Sequence, residues 1–137
     1  MKVIGEIKYR RDDSDYIYEL FNLPELDEKA VEEAESDISL TFGIINHKSF
    51  EPTPNFLLGV YVITEFMSGT ERKGFISKKD PVYNGTDAEQ GMSKVEDGLR
   101  ELALEVARKL KIETPELPII QQYMMPTKYS FNNPSQS

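Results

Sequence analysis

The sequence predicts an α+β domain: an antiparallel four-stranded sheet packed by a long amphipathic helix from the C-terminal half, with a short second helix or strap beyond it. Three observations carry this reading. "DISLTFGIIN" and "FLLGVYVITEF" show the two-residue alternation of β-strands. Residues 87–111 carry one apolar stripe at helical spacing. A chain of 137 residues, 39% of them hydrophobic, can bury one core but is short for two. The expected organisation is a single domain over residues 1–125 and a polar tail over 126–137.

The elements follow in order. Residues 2–10 alternate, with Val3, Ile7 and Tyr9 on one side and Glu6, Lys8 and Arg10 on the other, the pattern of a half-buried strand. "RDDSD" reads as a turn, because aspartate and serine side chains capture nearby backbone donors. "YIYELFNL" is either a second short strand or an irregular crossover. From Pro24, "PELDEKAVEEAESD" reads as a surface helix with acidic groups in its first turn, where they favour the positive end of the helix dipole, and with a thin apolar content of Leu26, Ala30, Val31 and Ala34.

In "DISLTFGIIN", Ile38, Leu40, Phe42 and Ile44 share one face. In "FLLGVYVITEF", Phe56, Leu58, Val60, Val62 and Phe66 share one face, and Leu57, Tyr61 and Ile63 share the other. Apolar residues on both sides predict a central strand covered twice, once by the domain's own helix and once by another layer such as a neighbouring subunit. "SGT" then connects to "ERKGFISKK" as an antiparallel partner, and "DPVYNG" reads as the turn that ends it.

The long helix is the best specified element. Thr86 and Glu89 fit a capping box, and Met92, Val95, Leu99, Leu102, Val106 and Leu110 form the stripe. Glu96 with Arg100 and Glu105 with Lys109 have the favourable acid-to-base order. Gly91 and Gly98 lie beside the stripe and are either surface glycines or points of close backbone approach. Beyond Lys111, Pro115, Pro118, Pro126 and Pro134 forbid a long helix, so "TPELPIIQQYMM" reads as an extended apolar strap.

Charge is uneven. Residues 12–37 hold eleven acidic groups against Lys29 alone, a local charge of −10, while the rest of the chain holds 15 basic and 13 acidic groups and sits at +2. Such a segment repels phosphates, which argues against a nucleic-acid partner and allows a basic protein partner. The basic cluster Arg72, Lys73, Lys78 and Lys79 either docks this acidic segment or protects a sheet edge. Zero cysteines exclude a disulfide framework. Charges at Lys2, Glu6 and Lys8 interrupt any secretory leader, and no apolar run is long enough for a membrane span. A soluble, cytoplasmic protein is expected.

No motif points to an enzyme, a metal or another cofactor. His47 is the one histidine, so paired-histidine metal sites are out. "DDSD" opens like a calcium loop, but the fifth position from Asp13 is Ile17 and the required glycine is missing. The carboxylates of residues 25–37 lack the apolar surroundings that raise a pKa for acid catalysis. The eight glycines never cluster into a phosphate-cradling loop.

In "ISLTFGII", "FLLGVYVITEF", "LRELALEVARKL" and above all "TPELPIIQQYMM", the chain resembles the SecB family of export chaperones over residues 36–125. The resemblance implies a four-stranded antiparallel sheet with two helices, assembled as a homodimer or homotetramer. It also implies apolar grooves for non-native polypeptides and an acidic surface that engages the export motor. By position, the client groove would draw on Tyr16, Tyr18, Phe21, Leu117, Ile119, Tyr123 and Met124. Partner docking would fall to Glu25, Asp27, Glu28, Glu32 and Glu35. The acidic insertion at 24–37, the short loop before the long helix and the absence of an acidic extreme C-terminus depart from the family pattern, and they bear on the motor partner.

Two other readings compete. The chain can be a structural or assembly subunit of a phage particle whose C-terminal arm wraps a neighbour. It can also be a local mimic of phosphate charge that inhibits a basic enzyme. In every reading Leu117 and Ile119 serve equally well as core under a folded-back strap.

Overall fold

The computed structural model describes residues 4–11, 21–34, 37–47 and 55–113, the first of these through their backbone. In chain order the elements are β1 (Ile4–Arg11), α1 (Glu28–Val31), β2 (Ile38–His47), β3 (Phe56–Ser68), β4 (Glu71–Gly85) and α2 (Ala88–Leu110). Strands β2, β3 and β4 form an antiparallel sheet, with the long helix after it. The fold is α+β.

Strand β1 lies beside β2 in parallel register, with Ile7 opposite Leu40 and Tyr9 opposite Phe42. This corrects the expectation of an all-antiparallel sheet. A parallel neighbour cannot be reached through a hairpin and needs a long crossover, which residues 12–37 are long enough to provide. The helix expected from Pro24 contracts to the single turn α1, capped by the Asp27 carboxylate, which accepts from the Lys29 amide at 3.0 Å. Among the described residues of that segment Leu26 and Val31 alone are buried, and like charges oppose further winding.

"DPVYNG" is the end of β4 and not a turn. Tyr83, Asn84 and Gly85 pair with Leu58, Leu57 and Phe56. Between Leu58–Tyr83 and Val60–Lys79, residues 80–82 of β4 face Gly59 alone, a bulge that takes up Pro81 after a cis Asp80–Pro81 peptide. At the edge of a sheet the missing proline N–H removes no ladder bond.

The first face of the sheet carries the core. Leu40, Phe42 and Ile44 of β2 and Leu58, Val60, Val62 and Phe66 of β3 meet Val95, Leu99, Leu102, Val106 and Leu110 of α2. Each such side chain, once fully buried, contributes about 1.5–3 kcal/mol. Gly91 and Gly98 are buried under this contact. A Cβ at Gly98 would stand 3.0 Å from methyls of Val60 and Val82, and one at Gly91 would stand 3.1 Å from Leu58. The two glycines therefore set the distance of closest approach between helix and sheet, and the surface-glycine reading is overturned.

Helix α2 starts one residue later than the Thr86 capping box predicts. "TDAEQ" fits the cap pattern in two frames, and Asp87 takes the position, accepting from the Gln90 amide at 3.1 Å. Its own amide donates to the Tyr83 hydroxyl at 2.9 Å. At the other end Lys111 adopts a left-handed conformation (φ 58°), and the Ile112 amide closes on the Ala107 carbonyl at 3.0 Å. Glu96 and Arg100 pair at 3.6 Å as their spacing predicts. Glu105 instead meets Lys79 at 3.1 Å, and Lys109 donates to the Leu26 carbonyl at 3.3 Å. Among the described residues no helix is long and apolar enough to cross a membrane.

Candidate functional site

The opposite face of the sheet is also apolar, as the two-sided pattern of β3 predicts. Ile45 of β2, Tyr61 and Ile63 of β3 and Ile76 of β4 form a second buried cluster, against which Phe21 and Leu23 pack. Helix α2 belongs to the other face, so Phe21 and Leu23 are the cover that the described residues provide here. The Lys78 ammonium stands 3.8 Å from the centre of the Phe21 ring, a cation–π contact at the rim.

Tyr61 is laid flat across Gly43, its direct partner on β2, and a Cβ at Gly43 would collide with the phenol ring. The ring is fully buried, and its hydroxyl has no hydrogen-bond partner among the described residues. The Thr64 hydroxyl on β3 is in the same condition. A buried phenol without a partner carries a desolvation cost of about 1–3 kcal/mol.

A second crossing lies nearby. The β4 bulge throws the Asp80 side chain over Gly59, where a Cβ would collide with it, and the carboxylate reaches His47 on β2. Its two oxygens stand 2.9 and 3.1 Å from His47 Nε2. His47, the one histidine of the chain, is thus tied across β3 to the sheet edge. Among the described residues no nucleophilic side chain is hydrogen-bonded to the ring, so they hold no nucleophile–imidazole pair. Nor do the described residues include a group of three histidine, aspartate or glutamate side chains able to hold a metal ion.

The acidic surface sits at the corner where the chain rounds the β4 edge. Glu25, Asp27, Glu28 and Glu32 are exposed. Glu33, their neighbour, is paired with Lys73 of β4, so the basic cluster does dock part of the acidic segment, and within one chain. The hydrogen bond it donates to the Glu33 carboxylate holds the Lys73 ammonium above the ordinary lysine value. The stabilisation linked to that shift is complete below the usual lysine range and is lost as pH rises beyond it, so it is constant near neutrality.

Of the residues predicted for the client groove, Phe21 is placed on the second face, half-buried beside Lys78. Tyr16, Tyr18, Leu117, Ile119, Tyr123 and Met124 lie outside the described residues, as does Glu35 of the acidic set. The strap over 114–125 and the tail over 126–137 lie outside them too. Sequence reasoning missed the Tyr61–Gly43 and Asp80–Gly59 crossings, although a glycine inside a strand is the known mark of a close approach. Neither the models of known protein families nor the curated proteins include a match to this chain.

Proposed function

We propose that the chain is a non-enzymatic molecular chaperone of the SecB-like type, a cytoplasmic homodimer or homotetramer that binds unfolded or non-native polypeptides in apolar grooves without nucleotide. The observation that carries the reading is the second sheet face, an apolar cluster of Ile45, Tyr61, Ile63 and Ile76 on the side away from the long helix, buried under a cover to which Phe21 and Leu23 contribute. Aromatic and aliphatic side chains on such a face, once uncovered, accept varied apolar partners without demanding one shape. The exposed carboxylates of Glu25, Asp27, Glu28 and Glu32 supply a separate docking surface for a basic protein partner. In this reading β1 completes a SecB-like sheet of four strands, and Tyr123 and Met124 of the strap join Phe21 in lining the groove.

The test is to titrate the purified protein into a chemically unfolded, aggregation-prone protein while following light scatter, with no nucleotide present. Suppression at near-stoichiometric ratios is expected, with a co-eluting complex on a sizing column. Tyr123→Ser with Met124→Ser should weaken it while the circular dichroism spectrum is unchanged. A well-folded oligomer that suppresses nothing would overturn the reading and move the assignment to a structural subunit.

A further inference from the structure

The chain segment leading to α1 does more than cover the second face. Pro24, Glu25 and Leu26 run alongside β4 as a one-residue parallel bridge between Glu25 and Ile76. The Ile76 amide donates to the Pro24 carbonyl at 2.9 Å, and the Leu26 amide donates to the Ile76 carbonyl at 3.2 Å. The side chains alternate as in a true strand: Leu23 packs on the second-face cluster and Leu26 enters the first-face core. Leu23 lies over Gly74, 3.9 Å from where a Cβ would stand, so a larger residue at that point of β4 would crowd it.

We propose that the outer edge of β4 at Ile76 is a strand-acceptor site, occupied within the chain by residues 21–26 and open to exchange with an extended polypeptide of the same pattern. That pattern is apolar at the first, third and sixth positions, as in Phe21, Leu23 and Leu26, with acidic residues following. The proposal rests on the chaperone reading for the source of such segments, which would be non-native clients.

Two features argue that the occupant is exchangeable. First, the ladder is cut short by its own sequence, since Pro24 has no N–H with which to extend it toward Gly74. Second, everything this segment contributes at Ile76 can be reproduced by another chain: two backbone hydrogen bonds, an apolar side chain on each face, and acidic groups for the basic side of β4. Lys78 already stands on Phe21 and Lys73 on Glu33. Between like contacts, the resident segment keeps only the advantage of its high effective concentration.

The test uses the full chain and a fluorescein-labelled peptide with the sequence of residues 21–34, read by anisotropy. The chain contains no cysteine, so a Glu25→Cys, Ile76→Cys double variant has one possible intramolecular disulfide. Parallel bridge partners have the spacing a disulfide requires. The oxidised variant is expected to bind the peptide at least tenfold more weakly than the same protein after reduction. Leu23→Asn, which loosens the resident segment without touching the first-face core, is expected to bind at least fivefold more tightly than the unmodified chain. Equal binding by oxidised and reduced protein, failure of the disulfide to form in the folded chain, or no binding by Leu23→Asn would each overturn the proposal. The two readings separate cleanly. Peptide exchange without any hold on an unfolded protein keeps the strand-acceptor site and removes the chaperone function. Suppression of aggregation by the oxidised variant as strong as by the reduced one does the reverse.

Discussion

The two faces of the sheet are made by alternate residues of the same strands, yet they are finished in different ways. On the first, a 23-residue helix lays a continuous apolar stripe along β3 and β4, with Gly91 and Gly98 drawing it close. On the second, large side chains of the sheet fold flat over glycines in the neighbouring strand, Tyr61 over Gly43 and Asp80 over Gly59, and the described cover is Phe21 and Leu23. A helix face is closed by many contacts from one rigid element and is hard to open. A cover held by two backbone hydrogen bonds, a cation–π contact and an exposed ion pair is closed by several weak ones. The difference teaches which face the described contacts hold less firmly.

The largest expected effect falls on the helical face. Leu102 is fully buried between helix and sheet. Leu102→Ala should cost about 2–5 kcal/mol, read as a lower midpoint in urea unfolding with an unchanged slope. A loss below about 1 kcal/mol would break the comparison, because the first face would then be the adaptable one.

The helical face was also the legible one. The stripe from Met92 to Leu110 and the alternation in β2 and β3 are local patterns, and burial on one side enforces them residue by residue. What depended on distant partners was not legible. The parallel placement of β1 follows from the path of the crossover, and "DPVYNG" looks like a turn until Gly59 is seen opposite it to receive the bulge. His47 and Asp80 are 33 positions apart, with no local signal linking them. Of the candidate site, Phe21 was legible as an aromatic residue in the crossover, whereas Tyr61, which is central to the second face, read only as half of a two-sided strand. The acidic helix failed for the opposite reason: its composition favoured winding, but Pro24 and Leu26 are engaged along β4 as strand.

An intermediate effect is expected at Gly43. Alanine would place a methyl group where the Tyr61 ring lies, and a ring fully buried on a packed face has little room to move. Gly43→Ala should destabilise the fold by about 1–3 kcal/mol, the range for overpacking, although alanine suits a strand better than glycine does. The tyrosine fluorescence and near-ultraviolet circular dichroism should change with it. An unchanged midpoint would mean that Tyr61 swings aside freely, and the second face would then be looser than its burial implies.

The smallest effect carries the most information about that face. Tyr61→Phe removes a hydroxyl that is buried without a hydrogen-bond partner among the described residues, while keeping the ring that fills the space over Gly43. Removing a satisfied buried hydroxyl usually costs about 0.5–1.5 kcal/mol, whereas removing an unsatisfied one is neutral or stabilising. The sign of the shift therefore reports whether the hydroxyl is paired when the second face is covered. A stability equal to or above that of the unmodified chain is expected in thermal unfolding. A clear loss would mean that the Tyr61 hydroxyl is paired in the folded chain, and the second face would then be closed more firmly than its described contacts imply.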